Sequence, residues 1–231
     1  AVDLHLHSNA SDGEYPPADV VRRAAEEGLR TIALVDHDTL AGVAEASAAG
    51  ARLGVRVISG CEFSVAAEWG EVHLLGYFLP LDAPQLNAFL QDQREKRSRR
   101  GAEIVRRLNG LGVRISFPQV LTEAGGGSLG RPHVAKALVE LGAAQSIANA
   151  FERYLGLGRP AFVPKQLPSL AAVAELVRAA GGVTSAAHLN SRGSTAVLRD
   201  LKDLGVDGVE VLHPSHDERT SRRIEEAAGR V

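Results

Sequence analysis

Short apolar runs alternate with longer amphipathic stretches along this chain, and polar side chains gather where the apolar runs stop. Val2 to His7 alternates and is short, which predicts a strand. Pro16 and Pro17 then open a helix through Ala25 to Gly28, with Asp19, Glu26 and Glu27 on its wet side. Arg30 to Val35 and Val55 to Ser59 read as the next two strands, separated by a helix from about Leu40 to Leu53 that Gly54 ends. Glu62 to Ala67 and Glu71 to Phe78 flank Trp69-Gly70 and fit a hairpin or two tightly joined strands. From Pro84 to about Arg159 the rhythm changes. Ala88 to Leu108 predicts one long charged helix, and Val134 to Leu141 and Ile147 to Tyr154 predict shorter ones. Alternation then resumes: helix Leu170 to Ala180, strand Val183 to Ala187, helix Thr195 to Leu204, strand Gly208 to Leu212, helix Glu218 to Ala228.

This is the rhythm of an α/β protein with five or six parallel strands. An open sheet gives the same rhythm, but polar residues at nearly every strand end favour a closed barrel. Residues 1–83 and 160–231 are assigned to the barrel, and 84–159 to a helical insertion over its mouth. The chain ends after a helix, where the pattern calls for a further strand, so the C-terminal part of the barrel reads as incomplete.

At 231 residues and 45% hydrophobic, the chain can bury one sizeable core. Lys and Arg number 26 against 28 Asp and Glu, for a net charge of -2, which argues against a surface that coats duplex nucleic acid or a membrane. A small anionic substrate remains open if positive charge is local. Cys61 is the only cysteine, so no intrachain disulfide can form and a cytoplasmic protein is expected. No stretch reads as a signal peptide or an apolar span of about 20 residues. P-loop and dinucleotide fingerprints are absent: Gly125-Gly126-Gly127 lacks a following lysine, and Gly156-x-Gly158 lacks a preceding strand.

Candidate chemistry sits at the strand ends. His5 and His7, two apart on a strand, leave from one face and aim two imidazoles at one point, unless they are merely exposed near a terminus. Asp12 lies in a polar turn that side-chain to backbone bonds alone would explain. His37, between Asp36 and Asp38, follows an apolar run; it reads as a ligand flanked by orienting carboxylates or as part of a solvated loop. Glu62 follows a strand directly, where a carboxylate can span two cations. His73 is flanked by apolar residues and has a core reading too, and His188 ends another strand. Together, His5, His7, Asp12, His37, Glu62, His73 and His188 make seven nitrogen and oxygen ligands without thiolate. That is too many for one ion, so two or three divalent ions are expected, Mn²⁺ foremost, with Zn²⁺ or Fe²⁺ as alternatives.

The motifs HLHSNASDG, LVDHDTLAG, Gly60-Cys61-Glu62-Phe63-Ser64 and Val72-His73-Leu74-Leu75-Gly76-Tyr77 resemble those of the PHP (polymerase and histidinol phosphatase) superfamily, especially its small metal-dependent phosphoesterases. The resemblance covers essentially the whole chain and implies a distorted (β/α)7 TIM-like barrel with a trinuclear site. By residue, it implies His5 and His7 on one metal, Glu62 as a bridge, His73 and His188 on a second, and Asp12 with His37 on a third. The chain departs from the family in having no late Asp-x-His after Glu218 and no proline after His188.

The long helix concentrates positive charge, and Arg94 and Arg97 fall near one of its faces. Arg131-Pro132-His133 reads as a phosphate-binding corner at the first turn of a helix, with His133 also a candidate for capping or packing. The resemblance implies that Arg131 and Arg97 hold a substrate phosphate distant from the scissile one. His213 and His216 follow a strand; they line the pocket and donate to a leaving oxygen, or belong to a surface loop. Lys165 is a further charge donor near the mouth. The expected reaction is phosphoester hydrolysis by metal-activated water, with Glu62, His37 and His216 as catalytic candidates. As the resemblance has it, the substrate is a small phosphorylated nucleotide, such as a 3',5'-nucleoside bisphosphate, or a short RNA end. Alternatives are a histidinol-phosphatase-like phosphatase, a metal-dependent amidohydrolase and an inactive metal-stabilised binding module. A monomer or weak homo-oligomer is expected, without a membrane or stable duplex partner.

Overall fold

A computed structural model describes residues 1–231. Its centre is one mixed sheet of six strands in sequential order: β1 (Val2–Leu6), β2 (Thr31–Leu34), β3 (Arg56–Ala67), β4 (Gly70–Tyr77), β5 (Val183–Ala186) and β6 (Gly208–Val209). β1, β2 and β3 pair in parallel, and so do β5 and β6, but β4 runs antiparallel to both of its neighbours. The curled α/β sheet is the expected PHP-type architecture, and the antiparallel pairing of β3 with β4 is the expected hairpin; the pairing of β4 with β5 adds a second antiparallel seam. The two runs Val55 to Ser59 and Glu62 to Ala67 form one long strand, and its tight turn at Trp69-Gly70 forces the return strand to reverse. The sheet curls instead of closing through backbone bonds, since β1 and β6 stand at opposite ends of the strand order. The Tyr77 hydroxyl on β4 donates across the interior to the Leu4 carbonyl (3.0 Å), and His5 meets Glu210 across the gap between β1 and β6.

Each face of the curl has its own packing. Leu74, Phe63, Val65 and Cys61 point outward into a core completed by α7 (Leu170–Ala179), α8 (Thr195–Asp203) and α9 (Glu218–Ala228). Inside the curl, Ala33, Val35, Leu75, Tyr77 and Ala187 form a small apolar floor. On the far flank, α1 (Pro17–Glu26) and α2 (Val43–Leu53) bury Val21, Ala46 and Ala49 against β2. β3 therefore buries both of its faces, and its alternate positions Glu62 and Ser64 are left on the inner side.

Between β4 and β5 lie α3 (Pro84–Gly110), α4 (Phe117–Ala124), α5 (Arg131–Glu140) and a short α6 (Ile147–Ala150) that runs into a π-helical turn, Phe151–Leu155. They share an apolar cluster of their own, drawn from residues 104–161. α4 is a helix the periodicity overlooked. Its signal was local: Ser116 and Gln119 form a reciprocal capping box, and Gly125 ends it in the left-handed region. Gly127 then lies against the β1–α1 loop, where a Cβ would stand 2.7 Å from the carbonyl oxygens of Asn9 and Ala10. The glycine run serves close approach of two backbones, and the Ser128 amide donates to Ala10 at 2.8 Å.

Candidate metal centre

Every strand of the curl delivers a polar side chain to the same end. β1 carries one extra residue relative to β2 between Asp3 and Leu6, and His5 and His7 emerge from this irregular stretch. β2 runs on past its end, where the Asp38 amide donates to the Glu62 carbonyl, and this sets His37 beside Glu62. Ser64 and His73 are direct partners across the hairpin, so His73 lies diagonal to Glu62. The Ala187 amide donates to the His73 carbonyl, which brings His188 to the same place.

Glu62 is the hub and is 1% exposed. Its Oε2 lies 3.1 Å from His5 Nε2, 2.9 Å from His7 Nε2 and 3.6 Å from His37 Nδ1. Its Oε1 lies 2.6 Å from His73 Nδ1 and 3.1 Å from His188 Nε2. The carboxylate thus divides the rings, His5 and His7 on one oxygen, His73 and His188 on the other. Asp12 stands further out, its Oδ2 3.6 Å from His37 Nε2 and its Oδ1 3.8 Å from His7 Nδ1.

Burial would push the Glu62 carboxyl up, but His37, His188, His5 and His7 outweigh it and hold it well below the usual range. His5 is likewise opposed by burial, yet its bonds to Glu210 and Glu62 raise it to about 10. His37 is driven by burial down to about 4 and is neutral. The neutral imidazole is the form that binds a cation. His37 Nδ1 is buried with no hydrogen-bond partner and faces Glu62 Oε2. An orphaned lone pair beside a carboxylate, in an all nitrogen and oxygen donor set, fits a divalent ion. Three groups bring their donor atoms within 4.8 Å of one another: His5, Glu62 and His188; His7, His37 and Glu62; and His5, Glu210 and His213. The site is therefore made of several His/Glu clusters able to hold divalent metal.

Around this centre, Asp36 accepts from the Ser8 amide (2.7 Å), the Ser8 hydroxyl and the Ser11 hydroxyl (both 2.6 Å), so it anchors the loop that carries Asp12. Asp38 has φ 51° and receives both helix arginines, Arg97 Nε at 2.6 Å on its carboxylate and Arg94 on its carbonyl. Arg97 also reaches the Leu129 carbonyl. Arg131 donates to the Leu155 carbonyl and lies over the rings of Phe151 and Phe162. His133 Nδ1 accepts the Gly130 amide at 2.9 Å, capping α5. Lys165 pairs with Glu71, which contacts His73 Nε2 at 3.2 Å, and reaches the Ser64 hydroxyl.

His216 stands apart from Glu62. Its Nδ1 meets the Val211 carbonyl and its Nε2 accepts the Asn190 amide, so neither nitrogen is free to donate to a leaving oxygen. His213 is the ring brought in, with centroids 5.3 Å from His5 and 5.1 Å from His188. Glu210 escaped the sequence reading. Its signal was a carboxylate at an alternate position of the apolar run Gly208 to Leu212, which in this curl faces His5.

Clustered imidazoles around a bridging carboxylate, at the mouth of a curled α/β sheet, define a metal-dependent hydrolase. The chain belongs to the PHP domain family, whose model matches residues 3–155. A 3',5'-nucleoside bisphosphate phosphatase of Chromobacterium violaceum is 35% identical over 223 residues, 93% of this chain and 78% of that protein. A 5'-3' exoribonuclease of Haemophilus influenzae is 35% identical over 214 residues, 90% of this chain and 78% of the other. Among solved structures, an amidohydrolase from Chromobacterium violaceum with bound sulfate and no metal superposes with a TM-score of 0.90 at 32% identity, covering 99% of this chain and 83% of that one. The protein is a metal-dependent phosphoesterase or amidohydrolase of the PHP superfamily. No helix is long and apolar enough to cross a membrane.

Proposed function

We propose that the substrate is a small nucleotide carrying a second phosphate, a 3',5'-nucleoside bisphosphate or the end of a short RNA. The observation that carries this reading is a knot of cations beside the ligand cluster. Lys96, Arg97, Arg100 and Lys165 line one small cavity with Asp38 and Ser64. Burial pushes Arg100 down to about 10, and Arg131 and Arg97 push the same way. Burial also lowers Lys165, against the pull of Glu71. Lys96, Arg97 and Lys165 have carboxylate partners in Asp92, Asp38 and Glu71, but Arg100 meets only the Val163 carbonyl, so an anion beside it would relieve the crowding. The names of the two curated relatives point the same way.

On this reading, two or three divalent ions, Mn²⁺ foremost, are held by His5 and His7 on one oxygen of Glu62, by His73 and His188 on the other, and by Asp12 with His37. When bound, they supply Lewis-acid activation of the phosphoryl group and of water. Glu62 keeps both halves in register. Arg131, Arg100 and Lys165 orient the second phosphate; Arg97 contributes through the guanidinium edge not bound to Asp38, and His133 through Nε2. His213 replaces His216 as proton donor to the leaving oxygen. Its Nδ1 is taken up by the Ser215 hydroxyl at 2.8 Å and amide at 3.1 Å, which leaves Nε2 as the nitrogen for that role. Residues 84–159 form the unit that covers the mouth, and the protein works in the cytoplasm.

The test compares kcat/KM for a 3',5'-bisphosphate, the corresponding monophosphate and an aryl phosphate. A charge-assisted contact of about 1.5–3 kcal/mol gives the bisphosphate an advantage of roughly 10- to 100-fold. Arg131→Ala should remove most of that advantage while leaving the aryl phosphate nearly unaffected. Equal losses on both substrates reject the assignment, and no advantage in the unaltered protein favours a histidinol-phosphatase-like substrate.

A further inference from the structure

Glu210 touches two histidines that stand on opposite halves of the centre, one by its ring and the other by its backbone amide. Its Oε1 lies 2.9 Å from His5 Nδ1, and its Oε2 accepts the His188 amide at 2.8 Å. The other nitrogen of His5, Nε2, faces Glu62 Oε2, whereas His188 Nε2 faces Glu62 Oε1. A neutral imidazole carries one proton. When a cation takes the Nε2 lone pair beside Glu62, that one proton stays on Nδ1, where the Glu210 carboxylate accepts its hydrogen bond. His188 needs support of another kind. Its φ of 27° lies outside the comfortable regions for a residue with a side chain, so its backbone must be held by its surroundings. The amide bond to Glu210 does this, and the same side chain fixes the ring of one ligand and the backbone of another.

We propose that Glu210 is a positioning residue for both halves of the metal centre, acting through His5 and His188 without binding metal itself. This rests on the metal-dependent reading of the Glu62 cluster. An opposite role is conceivable on distance alone, since Glu210, His5 and His213 bring donor atoms within 4.8 Å. Two facts favour positioning. Both oxygens of Glu210 already accept N–H donors, and an ion at that spot would require Nδ1 of His5, the nitrogen turned away from Glu62. Glu71 stands to His73 in a similar relation, 3.2 Å from Nε2 while Nδ1 meets Glu62.

The experiment uses Glu210→Gln and Glu210→Ala in the full chain. Metal per chain is measured by mass spectrometry at saturating Mn²⁺, affinity by chelator competition, and the imidazole tautomers by nitrogen-15 NMR of the Zn²⁺-loaded protein. Glutamine has one acceptor oxygen and cannot serve both donors. The expected result is an unchanged number of ions bound roughly 10- to 100-fold more weakly, with the Nδ1–H signal of His5 shifted or lost. Loss of one whole ion with undiminished affinity for the rest makes Glu210 a ligand and overturns the proposal. Unchanged affinity and tautomer in both variants also overturn it. Should the unaltered protein bind no divalent ion, the metal reading itself fails, a distinct outcome. Glutamine keeps the side-chain volume, and far-ultraviolet circular dichroism of the metal-free variants checks that the fold survives.

Discussion

Replacing Glu62 by glutamine removes the shared carboxylate and nothing else of size. The side chain is 1% exposed and stands between His5 and His7 on one oxygen and His73 and His188 on the other. A neutral amide is a weak metal ligand, and its NH2 group presents protons to one pair of rings. Both halves of the centre therefore lose their common ligand. An ion present at 100 to 1,000 times its Kd stabilises the folded state by roughly 2.7–4.1 kcal/mol. For a domain of this size each kcal/mol moves Tm by about 2–4 °C, so bound metal should raise Tm by about 5–16 °C. The assay is calorimetric Tm with saturating Mn²⁺ and with chelator, alongside metal content after desalting. In Glu62→Gln the metal-dependent rise should shrink to near zero, and hydrolysis should disappear with it. A variant that keeps the rise, the ions and the activity refutes the bridging role.

Two further perturbations probe what surrounds the centre. Arg97→Ala leaves the Asp38 carboxylate buried and unpaired at a left-handed backbone position, and should cost about 3–5 kcal/mol; a Tm within a degree of the parent contradicts that. Gly127→Ala drives a methyl against the Asn9 and Ala10 carbonyls and should cost about 1–3 kcal/mol, whereas Gly110→Ala, which meets open space, should be neutral or slightly stabilising; equal melting points for the two reject the close-approach argument.

Much of the architecture was legible because period and punctuation agree. Paired prolines open α1, Gly54 closes α2, and the apolar runs before His37, Glu62 and His188 are strands or strand continuations. What periodicity does not encode is strand direction. The run around Cys61 buries both faces of one long strand, and only the tight turn at Trp69-Gly70 hints that β4 must reverse. α4 was lost to its shortness, although Ser116 and Gln119 announce it.

The ring of histidines could be named from its strand-end positions, but partners distant in sequence could not. Arg97 looked free on its helix, and the fold spends its Nε on Asp38, fifty-nine residues away. His213 and His216 looked equivalent, and only the curl of the sheet sets one against His5 and turns the other to backbone. Glu210 carries no signal of its own beyond a carboxylate alternating with apolar residues in the run Gly208 to Leu212. A closing sheet makes that position an interior one.

Glu62 and the imidazoles of His5, His7, His37, His73 and His188 converge as a set of donors for divalent ions. Anomalous diffraction from crystals grown with excess Mn²⁺ tests this most directly. Anomalous peaks are expected on both sides of the Glu62 carboxylate, each within coordination distance of one of its oxygens and of the histidines facing that oxygen. Saturating Mn²⁺ with no peak there, and Glu62 still bonded directly to the rings, would contradict the metal reading.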